Sequence, residues 1–465
     1  MKYCSTRGGV SGLTFTDALL MGLASDGGLL VPEQIPDVRD NLASWRDLSF
    51  VELAQEIIAL FVDDIERKDL DELIRAAYMS FDHPEVIGTK QLDAIKVVEL
   101  FHGPTLAFKD VALQLLGQLF TYVLNARGQR LNILGATSGD TGSAAIAGVR
   151  GQHNIDIFIL YPRGRVSPMQ ELQMTTVADS NVHCVAVDGS FDDCQNLMKA
   201  VFADLDFKQQ YQLGAVNSVN WARVLAQIVY YGFASLRQHK ESVFAVPTGN
   251  FGNVFAAYLA YKMGFPIQQL IVATNENDIL ARFYATGDYS RGESKKTISP
   301  AMDIQIASNF ERFLFYYLDR DATKLAQMMA TFNTTGRCSI GAPPTDGIFK
   351  AYAVTEAETR SALHEVYSEH DYILDPHTAV GYVAAQRSLA AAAANAGQGH
   401  GDTETVMTVM ATAHPAKFPE TVHESIGTTP THPSLEALRD KPTRSGALPA
   451  ELDAVKAYLI ERISA

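Results

Sequence analysis

The chain has 465 residues, 47% of them hydrophobic and 20% charged, with a formal net charge of -15. That balance excludes a disordered or fibrous protein, and the length exceeds what one ordinary core fills, so about two or three domains are expected. The acidic surplus disfavours nucleic acid as a partner and requires any anionic ligand to be met by local positive groups.

The start, Met1-Lys2-Tyr3-Cys4-Ser5-Thr6-Arg7, lacks the apolar core of a signal peptide, and no apolar run reaches the length of a bilayer span. A cytoplasmic protein with no membrane partner is therefore expected. Residues 1–93 read as a mainly helical domain, with helical patterns at 15–23, 50–61 and 70–78 and the Pro-punctuated stretch Val31-Pro32-Glu33-Gln34-Ile35-Pro36 between them. From 94 onward apolar runs alternate with helical periodicity, the pattern of βα units around parallel sheets. Two α/β subdomains are expected, over 94–240 and 241–465. Strands are predicted at 131–136, 155–161 and 182–187 in the first, and at 243–246, 270–274 and 406–412 in the second. Helices are predicted at 111–124, 143–149, 221–236 and 254–263.

Two breaks are expected. The polar stretch at 289–297 predicts a mobile loop, and the Gly-rich stretch at 396–402 follows an alanine run, 390–394, that reads as a helix end. The cysteines (Cys4, Cys184, Cys194, Cys338) have no CxxC spacing, which predicts neither a zinc site nor a disulfide framework. No metal site is expected.

The chemistry concentrates in four places. Lys109 stands in Gly103-Pro104-Thr105-Leu106-Ala107-Phe108-Lys109-Asp110, an apolar, tight-turning stretch at the mouth of a helix. Such a lysine loses hydration of its ammonium form, which makes the neutral amine needed for a Schiff base accessible. Alone, the stretch reads as a surface lysine capping an amphipathic helix, and only the segments that accompany it overturn that reading. Strand 131–136 runs into Thr137-Ser138-Gly139-Asp140-Thr141-Gly142, where free N–H groups and a helix start make an anion site, or a turn capped by Ser138 or Thr141. A second loop of this construction, Gly249-Asn250-Phe251-Gly252-Asn253, is neither a Walker loop nor a GxGxxG turn. The last strand ends in Thr412-Ala413-His414-Pro415-Ala416-Lys417: the threonine can offer a hydroxyl to a ring nitrogen, and His414 reads as structural rather than as a base.

Taken in order, these segments resemble the threonine synthases. The resemblance extends through Tyr3 and Ser5-Thr6-Arg7-Gly8, Asp26-Gly27-Gly28-Leu29, Phe101-His102-Gly103-Pro104-Thr105 and Asn217-Ser218-Val219-Asn220-Trp221-Ala222-Arg223. It continues in Ser299-Pro300-Ala301-Met302-Asp303, Ser308-Asn309-Phe310-Glu311-Arg312 and Asp375-Pro376-His377-Thr378-Ala379. The helical N-terminal extension and the long 280–330 region resemble the fungal and enterobacterial branch.

The resemblance implies a fold type II pyridoxal-phosphate enzyme, tryptophan synthase β-like, converting O-phospho-L-homoserine and water to L-threonine and phosphate. Lys109 would hold the cofactor covalently and act as the catalytic base. Gly249, Asn250, Phe251, Gly252 and Asn253 would cradle its phosphate, and Thr412 would meet its pyridine nitrogen. Thr137, Ser138, Gly139, Asp140 and Thr141 would bind the substrate carboxylate. Asn217, Ser218, Arg223 and Lys417 would serve the substrate phosphate. A monomer is expected, with a dimer as the alternative. Asp140 departs from the wider superfamily, where an asparagine donates to the ring; an ionised aspartate accepts instead. The rival activities are a phospholyase or dehydratase on the same scaffold and, from another class, a non-catalytic binding protein that keeps the fold.

Overall fold

The computed structural model describes residues 1–137, 139–215, 218–344, 347–396 and 405–463. Ser138, Asn217 and most of the break expected at 396–402 lie outside the described residues. The chain divides into two compact units. The first comprises Met1–Asp71, Asp82–His102 and Ser218–Pro430; the second comprises Glu72–Phe81, Gly103–Asn217 and Thr431–Ala465.

These units cut across the three consecutive segments that the sequence suggests, and the strands explain why. The hairpin Gly88–Leu92 and Ile95–Glu99 joins the first unit's six-stranded sheet, whose order is Phe349–Ala353, Ile267–Thr274, Ser242–Pro247, Val406–Ala411, Ile95–Glu99 and Gly88–Leu92. Every neighbouring pair in it is parallel except the terminal hairpin. The second unit holds a five-stranded parallel sheet ordered Gly446–Pro449, Val182–Asp188, Ile155–Pro162, Leu131–Ala136 and Leu213–Gly214. Its edge strand Gly446–Pro449 lies far along the chain from its neighbours, which is why the C-terminal residues belong to that unit.

Strand interiors are buried on both faces, as the consecutive Phe244, Ala245 and Val246 are in one sheet and Ile133, Phe158 and Val185 in the other. That accounts for the near-continuous apolar runs in the sequence. No helix among the described residues is long and apolar enough to cross a membrane. The stretch at 289–297 is part strand and part loop, with no regular structure over 291–297. Asp288–Ser290 pairs with Arg337–Ser339, and the chain beyond is tied by Lys295 N–H to Asn277 Oδ1 (2.8 Å), Thr297 N–H to Asp303 Oδ2 (2.9 Å) and Gly292 N–H to Gln305 Oε1 (2.9 Å).

Candidate active site

In the second unit, helix Lys109–Arg127 begins at the lysine. The turn before it is organised by Asp110, fully buried, whose carboxylate accepts from Thr105 N (2.8 Å) and Thr105 Oγ1 (2.7 Å). Leu106 takes a left-handed φ of 60° there, and a side chain on Gly103 would collide with Asp110, so the Gly-Pro-Thr run and the aspartate form one piece of local structure. Helix Asp140–Val149 packs against helix Lys109–Arg127 through glycines: a methyl on Gly117 would overlap the carbonyl oxygen of Gly148.

This packing brings the two helix starts together. Lys109 Nζ donates to Asp140 Oδ2 at 3.2 Å, and Gln170 Nε2 donates to Asp140 Oδ1 at 2.8 Å. The lysine head group is thus paired with a carboxylate rather than surrounded by apolar side chains as the sequence suggests. In the loop before helix Asp140–Val149, Thr137 Oγ1 accepts the N–H groups of Gly139 (3.0 Å) and Gly142 (2.9 Å) and so caps the helix start. Gly139 has a φ of 147° and faces Gln170, which leaves no room for a side chain.

In the first unit, the adjacent parallel strands Ser242–Pro247 and Val406–Ala411 end on the same edge of the sheet, where open α/β sheets bind ligands. One leads into Gly249-Asn250-Phe251-Gly252-Asn253, the other into Thr412. Phe251 caps helix Gly252–Met263 in the left-handed region (φ 64°), held there by Phe310, Phe313 and Phe349 with ring centroids 5.2, 5.9 and 6.1 Å away. A methyl on Gly249 would stand 2.5 Å from the carbonyl oxygen of Ala301. The first turn of that helix points N–H groups at the loop which no carbonyl of the helix can reach. Asn253 adds a donor: its Oδ1 accepts from Tyr230 (2.5 Å) and Tyr231 (2.8 Å), while its buried Nδ2 has no hydrogen-bond partner among the described residues. A buried donor set of this kind, at a helix N-terminus, suits a phosphate.

The structure also brings Ser218 to Asn250. Ser308 Oγ donates to Asn250 Oδ1 (2.7 Å) and lies 3.2 Å from Ser218 Oγ, while Asn309 Nδ2 donates to the carbonyls of Ser218 and Asn250, each at 3.1 Å. Arg312 supports Asn309 from below and bonds the carbonyls of Leu30 and Val219. Sequence reading matched Ser308 and Asn309 without giving them a task; two short polar residues before an aromatic run carry no local sign that they clamp a loop.

Arg223 stands in the first turn of helix Trp221–Leu236, which Asn220 caps through Ala222 N–H (3.0 Å). It is 5% exposed, and neither its Nε nor its Nη1 has a hydrogen-bond partner among the described residues. Burial alone pulls the guanidinium down to about 10, still far above neutral pH. Lys417 is buried in the short 3-10 turn Pro415–Lys417, which His414 caps by accepting Ala416 N–H at 3.1 Å, the structural role expected of that histidine.

The family model described as pyridoxal-phosphate dependent enzyme matches residues 95–410, the greater part of the chain, and the protein belongs to that class of enzyme. Models for the threonine synthase N terminus and C-terminal region match residues 2–78 and 378–459. The threonine synthase of Pseudomonas aeruginosa is 46% identical over 99% of this chain and 98% of its own, and that of Schizosaccharomyces pombe 43% identical over 91% and 89%. The pyridoxal-phosphate-bound threonine synthase of Brucella melitensis superposes with a TM-score of 0.94 at 45% identity, covering all of both chains; the yeast enzyme gives 0.91 at 38%, covering 100% and 99%. The chain belongs to the threonine synthase family.

Proposed function

We propose that this enzyme turns O-phospho-L-homoserine and water into L-threonine and phosphate in the cytoplasm, acting as a monomer. The observation that carries the substrate assignment is Arg223: a buried guanidinium with two nitrogens that find no partner among the described residues is costly unless an anion completes it. A guanidinium meets phosphate with two parallel charge-assisted bonds. Ser218 and Asn250, already coupled through Ser308, add neutral donors for the same group, with Asn217 and Lys417 assigned beside them.

Bound pyridoxal phosphate supplies the electron sink for charge developing next to the substrate amine. Lys109 holds the cofactor and, once its amine is released, removes the Cα proton and then a Cβ proton. Asp140, itself fixed by Gln170, orients that amine through the 3.2 Å contact and shares the Thr137 loop's task of positioning the substrate carboxylate with Ser138, Gly139 and Thr141. Gly249, Asn250, Phe251, Gly252 and Asn253 grip the cofactor's phosphate, and Thr412 offers its hydroxyl to the ring nitrogen. The Cγ–O bond to phosphate breaks, the oxygen of water bonds to Cβ, and protons returned to Cα and Cγ leave threonine.

Incubation of the purified, cofactor-loaded protein with O-phospho-L-homoserine tests this. Equimolar phosphate and threonine are expected. Phosphate accompanied by 2-oxobutyrate in place of threonine would assign the chain to the phospholyases instead.

A further inference from the structure

Asp375 is a buried carboxylate to which the reading above gives no task. It immediately precedes helix Pro376–Ala396 and is 1% exposed. Its oxygens accept four hydrogen bonds: from His377 N (2.9 Å), His377 Nδ1 (2.9 Å), Thr378 N (3.3 Å) and Thr378 Oγ1, the shortest of the set. The two backbone bonds are a helix cap of the ordinary kind. The two side-chain bonds fix the polarity of the groups that make them.

With Nδ1 donating to Asp375, His377 Nε2 is left as an acceptor, and it receives the N–H of Ala301 at 3.2 Å. With its proton committed to Asp375, Thr378 Oγ1 accepts the N–H of Thr412 at 3.2 Å. Ala301 is the residue whose carbonyl presses on Gly249. One turn further along the helix, Gly381 leaves the space in which Pro247 lies, a methyl there standing 3.1 Å from the proline ring. Two short chains of hydrogen bonds therefore run from one carboxylate, one to Thr412 at the end of strand Val406–Ala411 and the other to Ala301, which lies beside Gly249 in the loop that follows strand Ser242–Pro247.

We infer that Asp375 is a positioning residue: by holding His377 as the Nδ1–H tautomer and Thr378 as an acceptor, it fixes Thr412 relative to the Gly249 loop. This rests on the assignment of Thr412 to the cofactor's ring and of the loop to its phosphate. The group acts only through His377 and Thr378.

The test uses the full chain, with and without pyridoxal phosphate. In protein labelled with nitrogen-15 histidine, His377 should show a protonated Nδ1 and a bare Nε2, and Asp375→Asn should disturb that pattern. Thr378→Val and Asp375→Asn should each weaken cofactor binding about ten- to hundredfold, on the scale seen for outer partners of a bound group, and shift the absorption band of the bound cofactor. Thr378→Ser, which keeps the hydroxyl, should restore both. Thr378→Val is close to isosteric and keeps the question open to test if Asp375→Asn fails to fold. A purely structural role would lower Tm and leave the band in place, and that result would overturn the inference. So would a proton on His377 Nε2, or a Thr378→Val protein that binds like the wild type while Thr412→Val shifts the band. A Thr412→Val protein with unchanged band and affinity would bring down the underlying assignment, and the inference with it.

Discussion

Gly117 and Gly148 meet backbone to backbone, and each lies eight residues beyond the residue that opens its helix, Lys109 in one case and Asp140 in the other. That crossing sets how closely the two helix starts approach, and the 3.2 Å ion pair between them is its consequence.

Gly117→Ala measures the contact. Alanine is the better helix former by about 1 kcal/mol. The added methyl must displace the backbone of the facing helix, and overpacking typically costs about 1 to 3 kcal/mol. The variant should therefore be less stable in urea despite its helix propensity, and should load less cofactor because Lys109 and Asp140 are forced apart. A neutral or stabilising effect would show that the helices are free to separate.

Arg223→Leu should affect the free enzyme and the substrate in opposite directions. The free protein loses a buried charge with unpaired donors, so its Tm should hold or rise. Recognition of the substrate phosphate should fall by about 2 to 5 kcal/mol, read from kcat/KM with O-phospho-L-homoserine. The cofactor spectrum should survive, because we assign its phosphate to the Gly249 loop. Unchanged kcat/KM would remove Arg223 from the site, and loss of the cofactor would mean that the two phosphate positions have been exchanged.

Phe251 yields an unusual order of stabilities. Its left-handed φ of 64° costs roughly 1 to 2 kcal/mol for a residue with a Cβ, a cost offset by its packing against Phe310, Phe313 and Phe349. Phe251→Ala keeps the strained backbone and loses the packing, for a total of about 3 to 5 kcal/mol. Phe251→Gly loses the same packing but relieves the strain, so it should be at least as stable as the alanine variant. Urea titration of the pair decides; a clearly less stable glycine variant would mean the loop relaxes in solution.

Much of this was legible in the sequence, for identifiable reasons. Helix Trp221–Leu236 was readable to the residue because a long, largely apolar run follows Asn220, a good cap. Strands Leu131–Ala136 and Ser242–Pro247 were readable because burial on both faces leaves a mostly apolar signal. Strand Gly88–Leu92 was not, since the interior of Gly-Thr-Lys-Gln-Leu is exposed at the sheet edge and carries no alternation. Nor could the sequence reveal that Val406–Ala411 inserts between Ser242–Pro247 and Ile95–Glu99, because pairing across some three hundred residues leaves no local trace. The same holds for the site. Lys109 and the glycine loop were visible in their own neighbourhoods, whereas the partnership of Lys109 with Asp140, the clamp at Asn309 and the network around Asp375 exist only in the folded chain.

His102 lends the fold a pH dependence. Its Nε2 lies 3.0 Å from Glu99 Oε2 and its Nδ1 3.0 Å from Asp82 Oδ1, with the tilted ring of His83 4.9 Å away and Tyr372 donating to Glu99 Oε1 at 2.7 Å. Burial pulls the imidazole's value down, but the bond and charge of Glu99 and the charge of Asp82 outweigh it, so the net direction is up. Burial pushes Glu99 up, but the bonds from His102 and Tyr372 outweigh it, so the net direction is down. The His102 contribution is fully present below the ordinary histidine value and is lost as pH rises through the raised one. The Glu99 contribution is present above the ordinary glutamate value and is lost as pH falls through the lowered one. The pair should therefore stabilise most in weakly acidic solution, between those two limits. Wild type and His102→Asn should differ most in Tm there and converge towards alkaline pH; a gap that widened on the alkaline side would contradict the assignment.

Lys109 as the residue that carries the cofactor is tested by borohydride reduction of the pyridoxal-phosphate-loaded protein followed by peptide mapping. The reduced pyridoxyl group should be recovered on the single peptide containing Phe108-Lys109-Asp110. Recovery of the label on another lysine, with Lys109 unmodified, would contradict the account.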